Sequence, residues 1–127
     1  MVSTAFGSLA MMTSVLVSPD GKYEYEAAHG TVTRHYYRHL AGEVTSTNPM
    51  ATIYAWSGAL RKRGELDGLA ELVDFADKLE AACIDTLMDG IMTKDLVGLV
   101  VPGTKTTAVN SKDFILAIRE RLAAKLA

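Results

Sequence analysis

A strand–turn–strand pattern near the start of the sequence constrains the fold more than any other feature. Thr13–Ser18 is rich in apolar and β-branched side chains and ends at the turn sequence Pro19-Asp20-Gly21. Lys22–Ala27 then alternates, with two tyrosines on one face and two glutamates on the other. This pattern predicts a β-hairpin. Because an isolated hairpin is only marginally stable in water, it must pair with or pack on other elements.

The strongest helix signal follows the dipeptide Asn48-Pro49. Asn48 is a favourable N-cap, and Pro49 suits the first helical position, where its missing N–H costs nothing. Three basic residues at 61–63 favour the negative end of the helix dipole, and Gly64 is predicted to end the helix. The inward-facing stripe of this helix is predicted to be Met50, Ile53, Tyr54, Ser57 and Leu60.

Helical spacing also predicts three further helices. A short one runs from Thr33 to a stop at Gly42, a long one from about Gly68 to Asp89, and the last from about Lys112 to Lys125. The apolar run Val97–Val101 predicts a short strand, and Thr104–Asn110 a polar loop. The fold class is therefore α/β, a β-hairpin followed by about four helices. Because these strands lack partners, we interpret the chain as part of a larger α/β protein.

Composition bounds the function without identifying it. The 127 residues are treated as a single segment, 1–127, with 49% hydrophobic and 22% charged residues, which is ordinary for a soluble globular chain. A net charge of −2 argues against a nucleic-acid partner. The single cysteine excludes an intrachain disulfide and favours a cytoplasmic location. The uncharged start, Met1–Val17, lacks the basic region of a secretory signal, and no stretch predicts a membrane span.

The main candidate site lies between the second strand and the next helix, at Gly30, Thr31, Val32, Thr33, Arg34 and His35. Gly30 lets the backbone approach a ligand closely, and the next three residues present N–H groups at a helix start. Arg34 offers a planar fork for a phosphate, and His35 adds a donor that can carry charge. The alternative is a plain strand-to-helix turn with Thr33 as N-cap, and the pattern leaves both open. The segment is neither a P-loop nor a Rossmann fingerprint.

Other candidates have simpler interpretations. Asn48 fits helix capping first, although its amide could also contact a base edge. Lys94 and Asp95 are expected to form a solvated loop pair, Cys83 an inert buried side chain, and Trp56 part of the core. The sequence offers no Ser-His-Asp or Cys-His arrangement and no carboxylate cluster. We therefore assign neither a catalytic nor a metal-binding residue.

Five segments together resemble one enzyme family in order and spacing. The family is the homodimeric NADP-dependent isocitrate dehydrogenases found in eukaryotes and some bacteria. The segments are Phe6–Val17, Glu26–Tyr36, Thr45–Pro49, Tyr54–Trp56 and Met92–Leu96.

The resemblance implies an NADP site outside the Rossmann fold. The implied cofactor-binding residues are Gly30, Thr31, Val32, Thr33, Arg34, His35 and Asn48. In the family, Arg34 and His35 fall where the 2′-phosphate of NADP binds, and Asn48 falls at the adenine. The family oxidises and decarboxylates isocitrate to 2-oxoglutarate with Mg²⁺ or Mn²⁺.

The resemblance places this chain in the C-terminal part of the family's large domain, in the isocitrate/isopropylmalate dehydrogenase fold. The family's substrate arginines, catalytic Tyr and Lys, and metal-binding aspartates lie upstream of this sequence. The chain alone is therefore expected to be inactive, and to form a homodimer or associate with the rest of the enzyme. The alternative is a stand-alone dinucleotide-binding or interaction module without catalysis. A related NAD-dependent dehydrogenase is disfavoured, because Arg34-His35 suits a 2′-phosphate.

Overall fold

The computed structural model describes residues 13–28, 33–43 and 48–127. Within those ranges the chain forms four short strands and five helices. In chain order they are β1 (Thr13–Val17), β2 (Tyr23–Ala27), α1 (Thr33–Leu40), α2 (Met50–Asp67), α3 (Ala70–Met88), β3 (Ile91–Thr93), α4 (Lys94–Val97), β4 (Thr107–Val109) and α5 (Ser111–Leu126).

The predicted hairpin is confirmed. β1 and β2 pair antiparallel, with Val15 opposite Tyr25. The turn closes when the Ser18 N–H donates to the Lys22 carbonyl and the Lys22 N–H donates to the Ser18 hydroxyl oxygen, both at 2.9 Å. The Ser18 hydroxyl also donates to Asp20. Side-chain and backbone bonds thus fix the turn that the sequence Pro-Asp-Gly predicts.

The tyrosine face of the hairpin packs on α2. The Lys62 ammonium lies 4.5 Å from the centroid of the Tyr23 ring, a cation–π contact. At Gly58, an added Cβ would lie 2.9 Å from the Tyr25 ring. Because a hairpin by itself is only marginally stable, it depends on these contacts with α2.

Helix α2 begins and ends later than predicted. Its first residue is Met50, whose N–H donates to Asn48 Oδ1 at 2.9 Å, and Pro49 lies just before it. At the other end the helix passes through Gly64 and stops at Gly68, which has φ +68°. Gly64 instead serves close packing, because an added Cβ would lie 2.7 Å from Val73 Cγ2 on α3. A glycine's role as a stop or as a contact point depends on tertiary packing.

Ion pairs join the long helices at the edge of their contacts. Arg61 on α2 reaches α3, where it pairs with Asp77 at 2.9 Å and with Glu80. The hydrogen bond that the Arg61 guanidinium donates to Glu80 raises the pKa of Arg61. Arg121 on α5 pairs with Asp89, at the end of α3, at 2.7 Å. Partly exposed pairs of this kind contribute at most about 1 kcal/mol each, so the core decides the fold.

The core lies between α3, α5 and the start of α2. Its buried members are Met50, Ala82, Cys83, Leu87, Met92, Leu96, Phe114 and Ile118. Cys83 is fully buried, as predicted. Trp56 contradicts its prediction, since its side chain is 66% exposed on the outer face of α2.

The second sheet differs from the sequence-based expectation. The predicted strand Val97–Val101 is wrong, because the strand is β3, which pairs parallel with β4 in the predicted polar loop. The residues after β3 turn into the one-turn helix α4, whose Leu96 is buried in the core. A three-residue parallel pair has too little sequence for its periodicity to be recognised.

The junction between α3 and β3 gives the first prediction. Gly90 has φ +82°, and an added Cβ would lie 2.6 Å from the Lys105 carbonyl oxygen. Gly68 has φ +68° but open space around it. In urea denaturation, we expect Gly68→Ala to lose about 1 kcal/mol of unfolding free energy and Gly90→Ala more than about 2 kcal/mol. Equal losses for the two variants would contradict the close contact at Gly90.

The core cysteine gives the second prediction. Burial raises the pKa of the Cys83 thiol from 9.0 to about 12, and burial also raises the pKa of the nearby Tyr54 hydroxyl. Because only the thiolate reacts, a disulfide reagent at about pH 8 should label the native protein at least about 100-fold more slowly than the urea-unfolded protein. Since the folded state holds this proton more tightly, stability should fall as the pH rises from 9 towards about 12. Similar labelling rates in the two states would show that Cys83 is accessible.

Candidate functional site

The structure places part of the predicted site at two helix starts. Along the backbone, α1 begins with Thr33, Arg34 and His35. Asn48 lies just before α2, with its side chain half-buried. Gly30, Thr31 and Val32 lie outside the described residues, so their predicted role is not tested by the structure.

The start of α1 has the chemistry that an anion prefers. The first-turn N–H groups of any helix lack partners within it, and the helix dipole adds partial positive charge there. No acidic residue lies in the first turn of α1 to compete with a bound anion. Arg34 and His35 in this turn would add to the positive charge.

The far end of α1 is well defined. The Gly42 N–H donates to the His39 carbonyl at 3.0 Å, and the Glu43 N–H donates to the Arg38 carbonyl at 3.1 Å. This pair of bonds is the Schellman motif, which confirms the predicted stop at Gly42. Arg38 also pairs with Glu43 at 2.6 Å. Arg38 is thus held at the end of the helix opposite to Arg34.

Asn48 is fixed by interactions with three other residues. Pro49 restricts the backbone of the preceding residue to extended conformations. The predicted N-cap is wrong by one position, because the N-cap of α2 is Pro49 and not Asn48. From the position before the N-cap, the Asn48 side chain still provides a capping bond, since its Oδ1 accepts from the N–H of Met50, the first residue of α2, at 2.9 Å. Its backbone N–H donates to Asp95 Oδ2 at 2.9 Å, across 47 positions of sequence. With Oδ1 used in capping, the amide nitrogen, which carries two donor hydrogens, is the atom suited to contact a base.

Asp95 is the residue that sequence reasoning missed. Its side chain is exposed, as expected of a solvated residue, and its carboxylate also accepts hydrogen bonds through both oxygens. Oδ1 accepts from the Thr93 hydroxyl at 2.5 Å, and Oδ2 accepts from Asn48. The Thr-Lys-Asp sequence signals the local bond to Thr93. No local pattern could reveal an acceptor 47 residues away from its donor.

Among the grooves that described residues line, three do not bring the predicted site residues together. One of about 310 Å³ lies between β2 and α2, beside Ala27 and Trp56. Another, of about 490 Å³, lies between the end of α1 and the start of α5, and His39 lines it. The third, of about 470 Å³, is formed by the hairpin turn and Lys62. Among the described residues, the candidate site is thus represented by two helix starts, and none of these three grooves is lined by Arg34, His35 or Asn48.

Two further findings concern the described residues only. No three His, Cys, Asp or Glu side chains come together there in a way that could hold a metal ion. Among the helices in these ranges, none has both the length and the apolar character needed to cross a membrane.

Comparison with known proteins gives one consistent family. The family model described as isocitrate/isopropylmalate dehydrogenase matches residues 1–118. Isocitrate dehydrogenase [NADP] 1 of Mycobacterium tuberculosis H37Rv is 52% identical over 127 residues, covering 99% of this chain and 31% of that protein. The mitochondrial isocitrate dehydrogenase [NADP] of Candida tropicalis is 52% identical over 123 residues, covering 95% of this chain and 29% of its own length. Isocitrate dehydrogenase [NADP] of Solanum tuberosum is 50% identical over 129 residues, covering 98% of this chain and 31% of that protein.

The chain thus spans about a third of the length of the curated relatives it matches. Its mixed α/β architecture, a strand hairpin followed by several helices, agrees with the family that the sequence resemblance indicates. This chain belongs to the isocitrate/isopropylmalate dehydrogenase family.

Proposed function

We propose that this chain supplies the adenosine end of the NADP site of an isocitrate dehydrogenase. The whole enzyme would oxidise and decarboxylate isocitrate to 2-oxoglutarate with NADP. The observation that supports this most is the pair of helix starts: a basic first turn in α1 and an anchored Asn48 before α2. Both lie in a chain about half identical to proteins named for NADP and isocitrate.

The start of α1 suits the phosphate end of the cofactor. In this proposal the segment Gly30, Thr31, Val32 and Thr33 approaches the ligand with backbone N–H groups. Arg34 and His35 then bind the 2′-phosphate, the group that distinguishes NADP from NAD. The absence of acidic residues from the first turn of α1 fits a doubly charged phosphate.

The start of α2 suits the base. Asn48 would contact the adenine through its amide nitrogen, because its carbonyl oxygen caps α2. Capping and base contact then coexist in one side chain. NADP supplies the nicotinamide that accepts hydride from the substrate, and the residues proposed here hold only its other end.

We assign the reaction centre to the part of the enzyme outside this chain. Mg²⁺ or Mn²⁺ would assist the whole reaction, but the described residues do not fit a metal site. No residue of this chain is proposed as catalytic. An isocitrate turnover assay with NADP and Mn²⁺, followed at 340 nm, should therefore show no activity from the chain alone.

We also propose that the chain associates with itself, as a homodimer, or with the rest of the enzyme. The edge strand β1 exposes three apolar side chains: Val15 at 45%, Leu16 at 55% and Val17 at 58%. Exposed apolar strand edges favour pairing with another strand. The cytoplasmic location stays a prediction, and the Candida tropicalis relative is named mitochondrial.

The phosphate assignment gives the third prediction. Because a hydrogen bond to a charged group contributes about 1.5–3 kcal/mol, Arg34→Ala should weaken NADP binding by roughly 10- to 150-fold. NAD, which lacks the 2′-phosphate, should bind almost as before. Isothermal titration of both cofactors measures the difference.

The matched control for this prediction lies on the same helix. Arg38 pairs with Glu43 in the last turn of α1, so Arg38→Ala should leave NADP affinity unchanged. If Arg34→Ala lowered the affinities for NADP and for NAD by the same factor, the 2′-phosphate assignment would be overturned. NADP binding by the chain without turnover would support the adenosine-end proposal. NADP binding at the same affinity as NAD would favour the alternative of a general dinucleotide module.

The exposed edge of β1 gives the fourth prediction. Sedimentation velocity should show a dimer or larger species, because the apolar edge has no partner strand among the described residues. Leu16→Lys places a charge on that edge and should shift the population towards monomer. The control variant Lys112→Glu changes an exposed position on α5 and should leave the proportions of monomer and dimer unchanged. A wild-type chain that sediments only as monomer would contradict the prediction.

A further inference from the structure

The dipeptide Asn48-Pro49 creates a local need for a hydrogen-bond acceptor. Pro49 has no N–H, and the Asn48 N–H precedes α2, so the helix ladder gives it no partner. A backbone donor that has no partner within its helix is satisfied by a side chain or by water. Asp95 meets this need, since its Oδ2 accepts from the Asn48 N–H at 2.9 Å.

Asp95 is itself held by the core. Its other oxygen, Oδ1, accepts from the Thr93 hydroxyl at 2.5 Å. Thr93, two positions before Asp95, is fully buried, and Leu96, directly after it, is 1% exposed, so the backbone around Asp95 is anchored in the interior on both sides. Thr93 also pairs with Val109 across the parallel sheet. The carboxylate therefore extends from a rigid support towards the start of α2.

We infer that Asp95 is a positioning residue for the base end of the cofactor site. It acts through Asn48, whose backbone it fixes while the Asn48 side chain caps α2. The carboxylate thus couples the turn after β3 to the start of α2. This inference rests on the proposed function for its consequence in cofactor binding, because Asn48 is the residue proposed to contact adenine.

The geometry distinguishes this role from a plain helix-start charge. Asp95 lies in the first turn of α4, where an acidic side chain is favourable whatever its direction. A charge acting only on the helix dipole needs neither of the two directed bonds that Asp95 makes. One of those bonds leaves α4 entirely and ends at the residue before Pro49.

The test compares three variants of the full 127-residue chain. Asp95→Ala removes both acceptor oxygens. Asp95→Asn keeps an oxygen that can still accept from the Asn48 N–H, so it serves as the rescue. Asn110→Ala is the matched control, since Asn110 Oδ1 accepts from the Asp113 N–H at 2.7 Å at the start of α5. It removes a similar bond at a helix start that contacts no proposed cofactor residue.

The first measurement needs no ligand. Amide hydrogen exchange at Asn48, followed by NMR, should be about tenfold faster or more in Asp95→Ala and near wild type in the other two variants. Unchanged exchange in Asp95→Ala would overturn the positioning role. This outcome is independent of whether the chain binds NADP.

The second measurement is titration with NADP and with NAD. Because both cofactors carry adenine, Asp95→Ala should weaken both by the same factor, about tenfold, whereas Asp95→Asn should restore most of the affinity. Asn110→Ala should lower the melting temperature without changing either affinity. Faster exchange with unchanged affinities would overturn the adenine consequence alone. Failure of the wild-type chain to bind NADP would overturn the proposed function, and the exchange result would still decide whether Asp95 holds Asn48.

Discussion

Helix α2 is the element on which the other positions depend, because it is packed closely on two sides. On one side Gly58 lies under the Tyr25 ring, and on the other Gly64 lies against Val73 of α3. At both glycines a Cβ would lie under 3.0 Å from its neighbour, so neither can be replaced without movement. The hairpin and α3 are therefore set in place by the same helix. Since cores of this density transmit small displacements, the spacing of the two contacts fixes the geometry of everything attached to them.

The candidate site follows from this arrangement. β2 ends at Ala27, immediately before the segment that leads into α1, while α2 begins just after Asn48. The hairpin held by Gly58 thus sets one approach to the site, and α2 itself sets the other. The third support comes from Asp95, which joins the turn after β3 to Asn48.

Local features of the fold were predictable from sequence, and features that depend on distant contacts were not. The hairpin, the stop at Gly42 and the last helix follow from turn residues and periodicity within a few positions. Gly64 was wrongly predicted as a helix stop, because its role comes from Val73 on the next helix. The β3–β4 pair was missed for a similar reason, since its partners lie far apart in sequence.

The same distinction separates the two ends of the candidate site. Arg34 and His35 could be predicted from sequence, because a basic pair at a helix start indicates an anion site without reference to distant residues. Asn48 could be predicted to bond to the start of α2, which its bond to the Met50 N–H confirms, but the N-cap itself is Pro49. What sequence could not supply was Asp95, whose effect on Asn48 exists only once the fold has brought α4 beside the residue before Pro49. In the proposed site, the charge for a phosphate would thus be encoded within one short segment, whereas the orientation of the base contact would depend on tertiary structure. Substitutions that remodel the core can therefore change the base end of such a site while leaving its phosphate end intact.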